Sequence, residues 1–451
     1  MGAAPQSSSL EPPATETDDL GRLLALPRVE LINRLAELFP HAPRGISGMP
    51  ASAPTMRGGR AAAVERLAAI DPVAYARSRN HIDGAVSRLS PWIRHGVLSL
   101  AEVRDAALAR VVRPEDAEKF VAELGWRDYW RHVQAALGGR IGSDIEPPAR
   151  TWRRPTPLAA VPDDVLEART GMACTDAFVR SLHATGWLHN HERMWLASWL
   201  VHVRGVHWRA GADWFLTHLL DGDPASNHLS WQWVAGTFSA KPYLFNRENL
   251  ERFTSGLHCR GCPLLGRCDV EGSYEALDAR LFVPDAPPRP PLRIRPAAAW
   301  RSAPGAAPAR RPLVWLTLDS AATTSPAAAA HPDAPKLFVV DRQWLADERP
   351  SLGRLLFLFE CLADVPGLEI RVGDPATIVP ARAAALGCDA VAVADSPCPR
   401  ARSSAASIAA TLPVHVVDWP PFCDPSRVDD LGRFSRFWQK VSRSALRSTG
   451  S

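Results

Sequence analysis

A proline- and arginine-rich segment at residues 284–311 constrains the fold of this chain more than any other feature of the sequence. Its letters are PDAPPRPPLRIRPAAAWRSAPGAAPARR, and proline both lacks a backbone donor and breaks continuous helix. This composition favours an extended, semi-rigid connection. The chain of 451 residues is also longer than one hydrophobic core usually serves. The sequence therefore predicts two domains joined by a linker at residues 284–311.

Residues 20–283 have the pattern of a helical domain. The segment GRAAAVERLAAI at residues 59–70 spaces its apolar residues along one helical face. The segment TDAFVRSLHATGW at residues 175–187 offers Thr175 or Asp176 as an N-cap and Gly186 near its C-terminal end. No strand-type alternation interrupts this region, so we expect an all-α domain.

Residues 312–451 have the pattern of an α/β domain. Short apolar runs alternate in several places with helix-like segments, which is typical of a parallel sheet covered on both faces. The runs are PLVWLTL (312–318), KLFVVD (336–341), LEIRVGD (368–374), DAVAVAD (389–395) and PVHVVDW (413–419). No GxGxxG follows the first run, so the sequence predicts no dinucleotide fingerprint there.

The composition is that of an ordinary globular protein. The 52 basic residues nearly balance the 48 acidic ones and leave a formal charge of +4, so a surface for an anionic partner must come from local clustering. No stretch approaches the roughly 20 apolar residues of a membrane span, and the start lacks the pattern of a secretory signal. We therefore expect a cytoplasmic protein whose first 19 residues form a disordered tail.

Tryptophan is concentrated in the helical half, where 11 of the 16 residues lie between Trp92 and Trp233. Several stand beside charged residues in ELGWRDYW (123–130), GWLHNHERMW (186–195) and DGDPASNHLSWQW (221–233). Together with SRLSPWIRHGVLS (87–99), these motifs resemble, in order and spacing, the FAD-binding helical domain of the DNA photolyase and cryptochrome family. The resemblance spans residues 59–251. It implies an all-α FAD-binding photolyase-like domain, followed here by an α/β Rossmann-like parallel-sheet domain.

The resemblance implies a site for FAD. The SRLS motif would offer hydroxyls, backbone N–H groups and a cation to the diphosphate, and a buried Arg and Asp set inside an aromatic core suits a polar cofactor. A helix cap and a structural salt bridge are the alternatives for these motifs taken singly. The implied cofactor-binding residues are Tyr75, Ser87, Arg88, Leu89, Ser90, Arg127, Arg193, Asp221, Asp223 and Asn227.

The resemblance also implies light-driven chemistry on DNA that contains cyclobutane pyrimidine dimers. Glu123 and Trp126 match the acid and the indole of the family's lesion pocket, and a flipped-out base could stack on that indole. Asn190 and Met194 match side chains that touch the dimer, where the enzymes for six-four photoproducts carry histidines. The family's chain of three electron-transferring tryptophans is matched by Trp231, Trp208 and, with a gap in the alignment, Trp152.

Three cysteines of the segment HCRGCPLLGRC (258–268) indicate a metal centre. Sets of four thiolates hold zinc or an iron–sulfur cluster, and the spacing does not distinguish the two. Members of the family with a four-iron cluster carry one earlier cysteine in the helical domain, the position that Cys174 matches. The resemblance thus implies a [4Fe–4S] cluster, with zinc as the alternative, on Cys174, Cys259, Cys262 and Cys268.

The order of the two domains differs from that of the family, in which the α/β domain comes first. The segment RFSRFWQKV (433–441) resembles the one that ordinarily leaves the α/β domain for the flavin domain, so the arrangement resembles a circular permutation. The segment TLDSAATTSP (317–326) replaces much of the charged sequence that follows the family's first strand, which argues against a bound antenna chromophore.

The function implied by these matches is repair of pyrimidine dimers in DNA by electron transfer from reduced FAD, carried out by a monomer. Two alternatives stay open. One is a cryptochrome-like blue-light photoreceptor without repair activity, and the other is a light-independent, metal-stabilised protein that binds nucleic acid.

Overall fold

The computed structural model describes residues 19–45, 55–154, 157–284, 288–302 and 309–448. The predicted disordered tail lies outside these residues except for Asp19. The described chain forms a helical body built from its first two thirds and a five-stranded sheet with flanking helices built from its last third. No described helix is both long and apolar enough to cross a membrane.

Thirteen α-helices precede the sheet in the described ranges. They are α1 (Arg28–Leu38), α2 (Arg60–Ala68), α3 (Pro72–Ser78), α4 (Ser90–Arg94), α5 (Leu100–Leu108), α6 (Glu118–Leu137), α7 (Asp163–Leu166), α8 (Ala173–Thr185), α9 (Asn190–Ser198), α10 (Trp208–His218), α11 (Pro224–Ala235), α12 (Arg247–Thr254) and α13 (Tyr274–Leu281). Short 3₁₀ segments lie at Leu20–Ala25, Pro114–Ala117 and Gly138–Gly142, and a π-helical turn at Trp199–Val203 follows α9. The helical pattern predicted before the linker is therefore confirmed.

The five predicted strands are also confirmed. They are β1 (Pro312–Leu316), β2 (Lys336–Asp341), β3 (Leu368–Gly373), β4 (Ala390–Ala394) and β5 (Val414–Val417), and the helices among and after them are α14 (Pro326–Ala330), α15 (Arg342–Glu348), α16 (Leu352–Leu362), α17 (Pro375–Ala385), α18 (Pro399–Ala409) and α19 (Phe434–Ala445). All neighbouring strands pair in parallel, in the order β3-β2-β1-β4-β5. Every residue of β1 and β4 is buried, as expected for strands covered on both faces.

The first described residues pack on the sheet, and the last helix packs on the helical body. Leu20 and Leu31, inside the predicted helical domain, belong to the hydrophobic core of the sheet, and an Asp19 carboxylate oxygen accepts from the Ile370 N–H at 2.8 Å. Helix α19, inside the predicted α/β domain, packs instead on α6, where Phe437 joins the helical core. The boundary at residues 284–311 therefore separates the strands from most helices, but not these two end segments.

The predicted N-cap of α8 is wrong by a few residues. The helix begins at Ala173, after Met172, so Thr175 and Asp176 lie inside its first turn. The Asp176 carboxylate accepts from the backbone N–H groups of Thr170 and Gly171 at 2.9 and 3.2 Å, which anchors the preceding loop rather than the helix. At the other end Gly186 has the left-handed conformation, with φ +65°, and closes the helix as predicted.

The described parts of the linker lie against the body of the protein without regular secondary structure. Arg289 pairs with the buried Glu146 at 2.9 Å, and the Ile294 N–H donates to Asp430 Oδ1 at 3.1 Å. The linker is thus extended, as the proline content predicts, and is held by polar contacts.

Candidate functional site

The predicted phosphate motif lies at a strained turn beside a cavity. Ser90 is the first residue of α4 and Leu89 precedes it as the cap. Arg88 has φ +55°, a region that residues with a side chain adopt in only a few per cent of cases. The Arg88 guanidinium lies 4.7 Å from the centre of the Trp187 ring. A cavity of about 300 Å³ is lined by Ser87 and Arg88 together with Arg66, Asp71, Gly84 and Phe120.

Tyr75 approaches the same region from α3. Its ring packs edge-on against Phe120, with the ring centres 5.1 Å apart, and Phe120 lines the cavity. Burial, supported by the charge of Glu123, raises the pKa of Tyr75 to about 12. The phenol is therefore a neutral hydrogen-bonding group, as a phosphate contact requires.

Two ion pairs, each between a half-buried arginine and a buried aspartate, form in the loop before α11. The Arg193 guanidinium donates to Asp221 Oδ2 at 2.9 Å, and Arg127 Nη2 lies 3.0 Å from Asp223 Oδ2. Asp223 also caps α11 through the Ala225 N–H at 2.9 Å. These contacts bring charges that are distant in sequence together at one loop, where each buried carboxylate is paired.

Asp221 is a buried carboxylate that could accept a hydrogen bond from a ligand. Burial alone would raise its pKa, but the charge of Arg193 and the nearby hydroxyl of Ser90 lower it below the ordinary value. Its Oδ1 atom is buried and has no donor among the described residues. An ionised, unpartnered acceptor next to the phosphate motif fits a polar cofactor with an N–H edge. Asn227 is buried nearby in sequence and donates from Nδ2 to the Ala212 carbonyl at 2.8 Å.

The predicted lesion-pocket residues have partners that the sequence did not indicate. Glu123 forms an ion pair with Arg79, and both side chains are about one-third exposed. Trp126 stacks face to face on Phe434 of α19, with ring centres 3.8 Å apart and planes 14° apart. Asn190 Nδ2 lies 3.3 Å from Met194 Sδ across one turn of α9, so the structure brings those two residues together.

The three predicted electron-transferring tryptophans share one hydrophobic cluster. The ring neighbour of Trp231 is Phe215, at 5.0 Å, and a side chain at Gly211 would collide with that indole. Trp208 donates from Nε1 to Asp144 Oδ1 at 2.6 Å. Trp152 donates from Nε1 to a ring nitrogen of His202 at 3.0 Å. The role of these indoles as one path stays a prediction.

The four predicted metal ligands lie in one neighbourhood. Cys174, Cys259 and Cys268 are buried in the same cluster as the tryptophans. Burial, with a smaller effect of the nearby Cys259, Cys262 and Cys268, raises the pKa of the Cys174 thiol to about 12. Within the described ranges, no three His, Cys, Asp or Glu side chains adopt a geometry that could hold a metal ion.

Comparison with known proteins identifies the helical body. The sequence profile of the FAD binding domain of DNA photolyase matches residues 120–255, which contain both ion pairs. This part of the chain is therefore similar to the FAD-binding domain of the DNA photolyase and cryptochrome family.

Relatives within the photolyase and cryptochrome family include both enzymes and cryptochromes. A deoxyribodipyrimidine photo-lyase of Streptomyces griseus is 41% identical over 157 residues, which cover 34% of this chain and 32% of that protein. A chloroplastic/mitochondrial cryptochrome DASH of Oryza sativa subsp. japonica is 36% identical over 169 residues, covering 36% and 28%. The chain thus matches about a third of the length of these relatives.

Solved structures of a photolyase and a cryptochrome are also similar to part of this chain. The archaeal photolyase from Sulfolobus tokodaii, solved with two FAD molecules, is 31% identical, covers 45% of each chain and gives a TM-score of 0.36. A cryptochrome from Synechocystis is 26% identical, covers 50% of this chain and 49% of that chain, and gives a TM-score of 0.42.

The family motifs did not indicate three side chains that contact the site from outside it. Nothing in the sequence distinguishes Arg79, the partner of Glu123, from the other arginines. Phe434, which stacks on Trp126, lies 308 positions after it, so no local motif connects the two. Arg354, on α16, donates to the carbonyl of Gly222, between the two loop aspartates, at 2.7 Å. Its position inside the apolar segment LGRLLFLFECL indicates that Arg354 is buried. Because a buried arginine rarely lacks a partner, this position could have indicated a polar contact.

Proposed function

We propose that the protein repairs cyclobutane pyrimidine dimers in DNA with light and reduced FAD. The observation that carries this proposal is the unpartnered, buried Asp221 Oδ1 between the phosphate motif and the Arg193 guanidinium. When bound, reduced FAD would absorb the light and donate an electron to the dimer, and the electron would return to the flavin after the cyclobutane bonds open. No net oxidation or reduction occurs.

Separate groups of residues would bind the diphosphate and the flavin ring of FAD. Ser87, Arg88 and the Ser90 hydroxyl would hold the diphosphate through charge-assisted hydrogen bonds, with Tyr75 as a further donor. Asp221 would accept from the polar edge of the flavin ring, while Arg193 keeps that carboxylate ionised by its charge.

The remaining flavin-side groups would orient the ring. Arg127 and the buried Asp223 form a second ion pair, 3.0 Å apart, which would fix the loop before α11. Asn227 is held by the backbone of α10 and would present its amide to the ring nitrogen that gains a proton on reduction.

The damaged DNA would be held by groups from α6 and α9. Trp126 would stack on an extruded base, and Glu123 would accept a hydrogen bond from its edge. Asn190 and Met194, already in contact with one another, would touch the dimer itself. Surface arginines and lysines would bind the phosphates, so we expect affinity to fall as salt rises.

The first test uses protein purified without oxygen. We expect flavin bands in its absorption spectrum, and blue light should remove the dimers from an oligothymidine that contains them. Glu123→Gln should keep the flavin and lose most of the repair, whereas Glu118→Gln, on the exposed side of the same helix, should behave as the wild type. A protein without flavin would contradict the proposal.

A cryptochrome-like photoreceptor is the second candidate. The observation that favours it is the ion pair between Glu123 and Arg79, which already occupies the acid of the lesion pocket. In that case light would reduce the flavin through Trp231 while dimers persist in the same assay, and Glu123→Gln would change nothing.

The same proposal assigns a [4Fe–4S] cluster to Cys174, Cys259, Cys262 and Cys268, with zinc as the alternative. Thiolates suit both metals, and the site would join α8 to the loop after α12. Binding would have to draw the four side chains closer together, since the described residues do not form a metal site as they stand. Iron, sulfide and zinc analysis of anaerobic protein distinguishes the two. Cys174→Ser should lose the metal, and Cys388→Ser, a half-buried cysteine outside the cluster, should keep it.

We also propose that the chain is a circularly permuted member of the family, with domains at residues 20–283 and 312–451 and no antenna chromophore. In support, α19 joins the core of the helical body, as a segment connecting the two domains would. A fused variant in which residues 312–451 precede residues 20–283 should still bind FAD.

A further inference from the structure

The carbonyl of Gly222 accepts hydrogen bonds from two buried cations. Arg94 Nε donates to it at 2.8 Å and Arg354 Nη2 at 2.7 Å. The side chains of these arginines are 4% and 1% exposed. Gly222 lies between Asp221 and Asp223, so both arginines act on the loop that carries the two flavin-side carboxylates.

The loop has no space for a side chain at this position. A Cβ atom on Gly222 would lie 2.9 Å from Arg354 Cζ and 2.9 Å from the Leu219 carbonyl oxygen. The glycine therefore permits the close approach of the guanidinium, and its φ is not in the left-handed region. Arg354 also donates from Nη1 to the Leu216 carbonyl at the end of α10.

Arg354 belongs to the sheet unit and is held there. It lies on α16 and pairs at 2.8 Å with Glu348, whose other oxygen pairs with Arg400 at 2.7 Å. Burial alone would raise the pKa of Glu348, but the charges of Arg354 and Arg400 lower it to about 2. The carboxylate is therefore ionised at neutral pH and fixes Arg354 in one orientation.

Arg94 is anchored to the same unit from the helical side. It ends α4, four residues after Ser90, and pairs with Asp319, which follows β1. The second oxygen of Asp319 accepts from the Ser396 hydroxyl, which follows β4. The sheet unit therefore supplies a counter-charge for both cations that contact the Gly222 carbonyl.

We propose that Arg354 is a positioning residue for the flavin, through which the sheet unit fixes the loop from Asp221 to Asp223. Two charge-assisted hydrogen bonds on one carbonyl hold the loop where Asp221 meets Arg193 and Asp223 meets Arg127. The sheet unit is thereby required for FAD binding even without a ligand of its own. The inference rests on the proposed binding of FAD in this loop.

The test compares three variants, each against the wild type. Arg354→Gln removes the charge, and Arg354→Lys keeps the charge but replaces the two nitrogens that contact the carbonyls of Leu216 and Gly222 by one. The matched control is Arg104→Gln, because Arg104 is 2% exposed and donates to the backbone carbonyls of Pro421 and Phe422, away from the flavin loop.

Two measurements are made on each protein. Titration of the apoprotein with FAD, followed by flavin fluorescence, gives the dissociation constant. Hydrogen exchange of the apoprotein gives the protection of the amides at residues 219–225, which reports the local opening of the loop without any cofactor.

A hydrogen bond to a charged group contributes about 1.5–3 kcal/mol, so Arg354→Gln should weaken FAD binding by about 10- to 100-fold. Arg354→Lys should give a smaller loss. Both should accelerate exchange at residues 219–225 in the apoprotein. Arg104→Gln should lower the unfolding temperature but leave FAD affinity within about twofold and the loop exchange unchanged.

Two results would overturn the inference. One is wild-type affinity and loop exchange in Arg354→Gln, and the other is an equal loss of affinity in Arg354→Gln and Arg104→Gln. If Arg354→Gln does not fold, the FAD affinity and loop exchange of Arg354→Lys are compared with those of the wild type and Arg104→Gln in the same way. If the wild type does not bind FAD, the proposed function fails, while exchange in the apoprotein still shows whether Arg354 holds the loop.

Discussion

Replacing Asp319 by Asn should destabilise the protein by an amount that depends on pH. Burial alone would raise the pKa of this carboxyl, but the charges of Arg94 and Arg131 and the Ser396 hydroxyl lower it from 3.8 to about 2. A lowering of this size corresponds to about 2 kcal/mol, at roughly 1.36 kcal/mol for each pKa unit. Breaking a buried pair and leaving Arg94 uncompensated can raise the loss to about 3–5 kcal/mol.

The sign of the pH dependence follows from the lowered pKa. A carboxyl whose folded-state pKa lies below its unfolded value stabilises the fold above the unfolded value, here 3.8. That contribution is lost as the pH falls through about 2. The difference in unfolding free energy between the wild type and Asp319→Asn should therefore be constant from pH 7 to pH 5 and about 1 kcal/mol smaller at pH 3.

Urea unfolding followed by tryptophan fluorescence at pH 7, 5, 4 and 3 measures this difference. Asp347→Asn is the matched control, since Asp347 is 45% exposed and pairs with Arg400 at 3.2 Å. Exposed pairs contribute about 1 kcal/mol or less. A loss below about 1 kcal/mol for Asp319→Asn at pH 7, or a loss that does not shrink at pH 3, would refute the reasoning.

Four further predictions concern the candidate site. Arg127→Met leaves its carboxylate partner buried without a cation, so FAD titration should show affinity at least about 10-fold weaker. Phe434→Ala removes the aromatic stack under Trp126 and should weaken binding of a dimer-containing oligonucleotide by several-fold in a fluorescence assay, with FAD affinity kept. Trp231→Phe should slow photoreduction of oxidised flavin in transient absorption, and an unchanged rate would remove that indole from the electron path. Cys174→Ala should abolish the bound metal in elemental analysis, because a closed site needs its fourth thiolate.

The strands and most helices could be predicted because their signals are local. Every residue of β1 and β4 is apolar and buried, and an apolar run of this length, bounded by turn residues, is too short for a typical buried helix. The N-cap of α8 was predicted wrongly for an equally local reason: Asp176 has the residue type of a cap, and its carboxylate caps backbone N–H groups of the loop before the helix.

The candidate site could be predicted as a set of motifs but not as a set of contacts. The pairs of Arg193 with Asp221 and Arg127 with Asp223 bring four predicted residues together, and their role in binding FAD stays a prediction. The contact of Arg354 with Gly222 joins positions 132 residues apart. No spacing rule connects such positions, because only the packing of α16 on the end of α10 brings them together.

Because α19 packs on α6, the helical body cannot complete its core until the end of the described chain has been synthesised. Tyr129 on α6 donates its hydroxyl to the Leu431 carbonyl at 2.7 Å, across 302 residues, and α19 completes the helical core. At about 5–20 residues per second, a ribosome needs roughly 15–60 s to make that interval. During this time the nascent helical body exposes the apolar face of α6 that α19 will cover. A chaperone that binds exposed apolar segments should therefore associate with ribosome-bound chains ending near residue 430 and leave once α19 has emerged.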